Sequence, residues 1–296
     1  MIIDLFYGLG KQMFIYAFGE YIKYQKGFDI KFNTKGFKKT NTPDTKRDIE
    51  ITRFPNVVLN EDNSIFAPNY HYAGDVVNKL KKIIYDRFHK IKKSQKLFEF
   101  DKEFVDSLVE SDFVFGFFQS ELYLKPIEDV IRKDFIFDDK LPPNVERTID
   151  EIKNSRNSVS LHIRRGDYLN SSKFYSLSLN YYKKAISILK QNLDEQTLHF
   201  FVFSDDPTWV KNNFGDIGNY ACTFVEGNDG YNDMRLMSLC KHNIIANSSF
   251  SWWGAWLNGN PNKIVVSPSY QTWFSADSVF KLSESPSTPN NWIIID

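Results

Sequence analysis

"SLHIRRGDYL", residues 160–169, decides how this chain is read. An apolar, strand-like run ends abruptly in two arginines, a glycine and an aspartate. Along a strand, successive side chains point to opposite faces. Val159, Leu161 and Ile163 therefore share one face, and Ser160, His162 and Arg164 the other. His162 and Arg164 can serve one ligand, while Arg165 points elsewhere. A guanidinium offers two parallel N–H donors and stays charged at any relevant pH, which suits it to phosphate.

The sequence downstream alternates strand and helix. "SVSLHI", "LHFFVF", "CTFVEG", "IIAN" and "KIVVSPS" read as strands. Between them, "SLSLNYYKKAISILKQNL" reads as a helix with Leu179, Tyr182, Ile186 and Leu189 on one face. "DPTWVKNNF" reads as a short helix with Asp206 as N-cap and Pro207 at its first position. "YNDMRLMSLCKHN" and "SSFSWWGAWLN" complete the set. Such alternation predicts an α/β fold with a parallel sheet covered by helices on both faces. Open parallel sheets bind ligands beyond the carboxyl ends of their strands. Those ends carry Arg164, Arg165, Gly166 and Asp167, then Ser204, Asp205 and Asp206, then Asn247, Ser248 and Ser249. A helix beginning at Ser248 or Ser249 adds free backbone N–H groups and a positive dipole end. Together these describe a pocket for a diphosphate.

The first half is less regular. "MIIDLFY" reads as a strand and "GLGKQMFIYAFGEYIKYQKG" as a turn and helix stopping at Gly27. Gly8 and Gly10 resemble part of a dinucleotide fingerprint, but Met13 stands where its third glycine belongs, so NAD binding has weak support. Residues 31–50 are polar and lysine-rich and read as a loop. Residues 79–96 read as one basic amphipathic helix with Ile83, Ile84, Phe88 and Ile91 as its apolar stripe. A solvated helix face and contact with an anionic membrane surface both fit that pattern. "FVFGFFQSELYL", 113–124, reads as a strand running into a helix, and the proline-bearing stretch 138–157 as a domain boundary. The expected division is 1–150 and 151–296.

Composition sets limits. The 296 residues carry 37 Lys and Arg against 37 Asp and Glu, so the net charge is zero, unlike a general nucleic-acid binder. An anionic ligand must be held by local charge. The two cysteines, Cys222 and Cys240, make no disulfide framework, and only Cys240 with His242 has metal-ligand spacing, without further ligands nearby, so a reduced, cytoplasmic setting is the default. The N-terminus does not read as a signal peptide, and no run of about 18 apolar residues suggests a membrane span.

Plainer readings compete at each motif. "RGD" as an adhesion tripeptide is weak. Arg165, or Arg164, can pair with Asp167, Asp205 or Asp206 in a structural ion network. Trp252, Trp253 and Trp256 suit core packing. Ser248 and Ser249 can be simple caps, and Asp233 a charge at a helix N-terminus.

Taken together, "HIRRGDY" at 162–168, "FSDDPTWV" at 203–210 and "DMRLMSLCKHNIIANSSFSWWGAWLN" at 233–258 resemble the motif set of the alpha-1,2-fucosyltransferases, glycosyltransferase family 11. "GLGKQMFIYAFG" at 8–19 is similar to that family's N-terminal glycine motif, with Lys11 where the family usually has asparagine. The resemblance spans nearly the whole chain and is weakest between about 30 and 110. It implies an inverting, metal-independent enzyme of GT-B architecture, two Rossmann-like domains facing a central cleft. The C-terminal domain would hold GDP-β-L-fucose, and the N-terminal one would shape the acceptor site. No cofactor is implied beyond this donor substrate.

By motif position the resemblance implies Arg164 for the β-phosphate, His162 and Asp233 for guanine, and Ser248 and Ser249 for the pyrophosphate. Asp205 and Phe250 join the donor-binding candidates. Arg165 and Asp167 stand with Arg164 as catalytic candidates. Gly8, Gly10, Lys11 and Gln12 are the acceptor-side candidates. The implied reaction moves L-fucose to the 2-hydroxyl of a galactosyl unit on an oligosaccharide or lipid-linked glycan of O-antigen or capsule type. The implied setting is the cytoplasm, at or near the inner face of the membrane. Asp4, Asp167 and Glu121 are candidates for the base by residue type alone. Another linkage, another GDP-sugar, or a binding protein without catalysis are the alternatives.

Overall fold

The computed structural model describes residues 1–37, 47–72, 75–94, 96, 98–169, 174–216, 220–269, 272–273 and 288–296. The chain divides into two α/β units. Among the described residues, unit 1 holds Met1–Asp138 together with Thr288, and unit 2 holds the rest. The division falls at Asp138, not at 150, because the helix over Pro143–Asn154 buries Val145, Ile149 and Ile152 with unit 2 residues Phe201, Phe203 and Leu236.

Unit 1 runs β1 (Ile2–Asp4), α1 (Leu9–Lys26), β2 (Lys31–Asn33), α2 (Val76–Tyr85), β3 (Ile91–Lys93), α3 (Lys102–Ser107), β4 (Phe113–Phe115), α4 (Glu121–Leu124) and α5 (Glu128–Asp134). Its strands form a parallel sheet in the order β2-β1-β4-β3. α1 is apolar around most of its circumference and is buried from Leu9 to Ile22 apart from Lys11 and Glu20, so it sits inside the unit rather than on it. It ends at Gly27, whose φ of 70° is the left-handed cap that glycine adopts without strain. At Gly19 a side chain would meet Phe32 Cζ at 2.9 Å, so this glycine lets helix and sheet approach closely. Two expectations change here. The stretch 31–50 opens with strand β2 rather than loop, and residues 38–46 of it lie outside the described residues. The basic segment 79–96 is not one helix: α2 ends at Tyr85 and Ile91–Lys93 pairs with β4 as an edge strand.

Unit 2 runs α6 (Pro143–Asn154), β5 (Asn157–Ile163), α7 (Leu179–Asn192), β6 (Leu198–Ser204), α8 (Pro207–Asn213), β7 (Ala221–Phe224), α9 (Gly230–Leu239), β8 (His242–Ile244), α10 (Ser249–Leu257), β9 (Val265–Pro268) and β10 (Ile293–Ile295). Its sheet is parallel, in the order β10-β9-β8-β5-β6-β7. The strand-face reading of β5 holds. Val159, Leu161 and Ile163 pack with Tyr182, Ile186 and Leu189 of α7 on one face. On the other face Phe201 and Phe203 of β6 pack with α6, α9 and Phe250. Asp206 caps α8 by accepting from Trp209 N at 3.1 Å, with Pro207 at the first helical position. Trp252, Trp253 and Trp256 are core. A buried amide chain ties the centre together: Asn243 donates to Ser160 Oγ at 2.7 Å, and Asn258 donates to Asn243 Oδ1 at 2.7 Å. Each member has its partner, as a buried polar network needs.

Candidate active site

From β5 the chain moves outward in one direction through β6 and β7, then returns to β8 on the other side of β5. That reversal is a topological switch point, and it opens a crevice beyond the carboxyl ends of β5 and β8. His162 and Arg164 lie at one lip, and Asn247, Ser248 and the N-terminus of α10 at the other. Tyr168 joins them, its hydroxyl donating to Asn247 O at 3.0 Å. The rings of His162 and Phe250 sit 5.7 Å apart.

The two arginines have separate surroundings. Arg164 pairs through Nη2 with Asp167 Oδ1 at 2.6 Å and through Nη1 with Asp205 Oδ2 at 3.0 Å, and its Cζ lies 5.4 Å from the Tyr168 ring centroid. Arg165 turns away: its guanidinium lies over Trp209, and its Nε reaches Asp206 Oδ2 at 3.3 Å. Asp205 serves both, because its Oδ1 accepts from the Arg165 backbone N–H at 2.8 Å. Asp205, read from sequence as a donor-binding residue, thus spends both oxygens on the arginine loop. Arg165, read as catalytic, is braced against α8. A Cβ at Gly166 would stand 2.6 Å from Asp205 Oδ2, so glycine here leaves that carboxylate in place between the two arginines.

His162 is buried, and its Nδ1 has no hydrogen-bond partner among the described residues. Burial, reinforced by the neighbouring Arg164 charge, depresses its pKa to about 3, so the imidazole is neutral. A neutral, orphaned ring nitrogen at a strand end is a hydrogen-bonding group in need of a ligand. Ser248 is the N-cap of α10 and accepts from Phe250 N at 3.3 Å, and Ser249 opens the helix. The cap satisfies one of the helix's free N–H groups and leaves others for an anion. Asp233, in the first turn of α9, accepts from Asn228 Nδ2 at 3.0 Å. Burial, with the nearby Asp229 charge, lifts its pKa to about 6 against the lowering effect of that hydrogen bond.

In unit 1, Gly8 is the N-cap of α1 and Gly10 is buried in its first turn. Lys11 Nζ lies over the Tyr7 ring at 4.1 Å and the Phe117 ring at 5.0 Å. Gln12 is fully buried and structural in its contacts: Nε2 donates to Tyr7 O and Asp48 O at 2.7 and 2.9 Å, and Oε1 accepts from Glu50 N and Ile51 N at 2.9 and 3.1 Å. Of the base candidates, Asp4 has no exposed surface and so cannot meet a substrate itself. It instead orients His71, whose Nε2 lies 2.5 Å from Asp4 Oδ2, while Asn33 Nδ2 donates to Asp4 Oδ1 at 2.8 Å. His71 keeps 29% of its side chain exposed. Sequence reasoning missed His71 because 67 residues separate it from its carboxylate. Asp167 is committed to Arg164, and burial raises the pKa of Glu121 at the start of α4.

Parallel α/β units with a guanidinium and a helix N-terminus at a switch point suit a diphosphate ligand, as a nucleotide-sugar-dependent glycosyltransferase requires. The chain matches glycosyl transferase family 11 over residues 6–296 and belongs to that family. Each of its two units is an α/β body built on a parallel sheet. It is 32% identical over 301 residues to an alpha-1,2-colitosyltransferase of Escherichia coli, covering 98% of this chain and 96% of that one. It is 46% identical over 145 residues to the O-antigen biosynthesis glycosyltransferase WbnK of Escherichia coli, a match covering 46% of this chain and 44% of the relative. With galactoside alpha-(1,2)-fucosyltransferase 1 of Rattus norvegicus the identity is 28% over 158 residues, covering 49% and 41%. Among solved structures, NodZ alpha-1,6-fucosyltransferase soaked with GDP-fucose aligns with a TM-score of 0.47 at 13% identity, over 92% of this chain and 96% of that one.

Proposed function

We propose that the enzyme moves L-fucose from GDP-β-L-fucose to the 2-hydroxyl of a galactosyl unit, with inversion, during cytoplasmic assembly of an O-antigen- or capsule-type glycan. The observation that carries this reading is the β5–β8 crevice, where Arg164, the orphaned His162 Nδ1 and the N-terminus of α10 meet. The relatives' names support the α-1,2 linkage and a galactoside acceptor.

In the reaction the donor C1–O bond breaks and its electron pair passes to the GDP β-phosphate, while the acceptor oxygen bonds C1 from the opposite face. The Arg164 fork and the α10 N–H groups meet charge that grows only as that bond breaks, so they stabilise the transition state more than the ground state. His162 and Asp233 hydrogen-bond the guanine.

A colitosyl donor is the second reading, favoured by the Escherichia coli relative that aligns end to end. Colitose is L-fucose without its 3-hydroxyl. A site built to bond that hydroxyl rejects the sugar lacking it far more strongly than the reverse. The test offers GDP-fucose and GDP-colitose separately with lactose, N-acetyllactosamine, Gal-β1,3-GalNAc and Gal-β1,3-GlcNAc, and the product linkage is read by NMR. Transfer of fucose to O2 of galactose is expected. Colitose transfer alone supports the second reading, and transfer from neither donor to any β-galactoside overturns both. Arg164→Ala should fall by about 10²- to 10³-fold in kcat with the fold retained, and Arg164→Lys should recover little because the fork is lost.

A further inference from the structure

Helix α2 is built inside out. Its polar and aromatic side packs on the protein: Asn78 is buried, donates to Asn69 O at 2.8 Å and accepts from Asn69 N at 2.9 Å, and Tyr85 is buried against Asp62. Its aliphatic side faces outward. Val76 is 70% exposed, Val77 63%, Leu80 53% and Ile83 57%. At about 100° per residue these four and Ile84 fall in one unbroken stripe of about 120°, and Lys79 and Lys81 flank it on either side. The following turn adds Phe88, 74% exposed.

Charge is concentrated here too. Residues 75–96 hold eight lysines and arginines but only Asp75 and Asp86 as carboxylates, in a chain of zero net charge. Both carboxylates are engaged, Asp75 as the N-cap of α2 and Asp86 with the Tyr70 hydroxyl at 2.6 Å. An exposed apolar stripe with lysines along both borders is the pattern of a helix lying in a membrane interface.

We propose that α2 and the Phe88 turn seat unit 1 on an anionic membrane surface, the stripe entering the acyl boundary and the lysines meeting lipid phosphates. A second copy of the chain is the poorer occupant, because pairing this face with itself opposes lysine to lysine. Among the described residues no helix is long and apolar enough to cross a membrane, so the contact is peripheral. This inference does not depend on the donor or acceptor assigned above.

The full chain is sedimented with vesicles of phosphatidylcholine alone and of phosphatidylcholine with phosphatidylglycerol. Binding is expected to the phosphatidylglycerol vesicles, weakened by salt and by Lys79→Gln with Lys81→Gln. Leu80→Glu with Ile83→Glu should lower partitioning by at least about tenfold. Both are surface changes, so transfer to a soluble acceptor should keep its rate. The proposal is overturned if wild type ignores anionic vesicles, if the glutamate variant binds them as wild type does, or if those substitutions abolish a dimer seen in gel filtration while vesicle binding is unchanged.

Discussion

The guanidinium of Arg165 lies over the indole of Trp209, with Cζ 3.5 Å from the ring centroid. Trp209 belongs to α8, and Asp206, which caps that helix, also meets Arg165 Nε. The second arginine therefore fastens the arginine loop to the neighbouring strand-helix unit. A desolvated cation–π contact contributes up to about 2 kcal/mol. Arg165→Ala should lower the melting temperature of unit 2 by a few degrees and reduce kcat by less than about tenfold. Thermal circular dichroism and initial rates check this. An unchanged melting curve with activity as low as that of Arg164→Ala would instead make Arg165 a direct phosphate ligand.

Gly166→Ala should act on turnover more than on stability. Its Cβ would stand 2.6 Å from Asp205 Oδ2 and 3.1 Å from Cγ, so the carboxylate must yield. That carboxylate positions Arg164 and the Arg165 backbone together. A misplacement of about 1 Å at a reacting centre costs about 10²-fold. Rates of Gly166→Ala should approach those of Asp205→Ala, with both variants melting close to wild type.

Gln12 gives a contrasting case. Gln12→Ala removes the acceptor for Glu50 N and the buried Ile51 N, and the loss should be about 2–4 kcal/mol. Chemical denaturation should show it, while donor and acceptor KM of the folded fraction stay put. A shifted acceptor KM at unchanged stability would return Gln12 to the acceptor-side role the glycine motif suggested.

Asp233 sets a pH dependence. Its folded pKa of about 6 is above its ordinary value, so folding favours the protonated form. Ionising it costs stability, a cost absent below its ordinary pKa and fully present above about 6. In the guanine-binding role proposed for Asp233, donor binding runs the opposite way, because only the carboxylate accepts two guanine N–H bonds. Donor KM should therefore rise as pH falls through about 6. In Asp233→Asn that dependence should vanish, and the variant should be more stable than wild type at neutral pH. His162, titrating near 3, contributes nothing in this window.

Much of unit 2 was legible because each of its elements announces itself locally. β5 is a seven-residue strand alternating polar and apolar, β6 a seven-residue strand that is mostly apolar, and Asp206-Pro207 marks a helix start by its own chemistry. Unit 1 hid its sheet in three-residue strands. Ile91–Lys93 continues the lysine pattern of the preceding helix without a break, so periodicity ran the two together. The position of Asp4 was legible and its role was not, because that role comes from His71, which only the fold brings near. The split between Arg164 and Arg165 was legible from strand alternation, whereas the sharing of Asp205 between them was not.

The arginine loop already neutralises its own cations, with one carboxylate to spare. Two guanidiniums are met by Asp167, Asp205 and Asp206, so an incoming anion competes with carboxylates and not with water. A free phosphate ion gains little from that exchange. In the donor role proposed above, a nucleoside diphosphate brings a base for His162 and Asp233 as well, a second foothold that offsets the displaced Asp167. On that reading the loop discriminates against simple anions and admits a donor that carries its own means of entry.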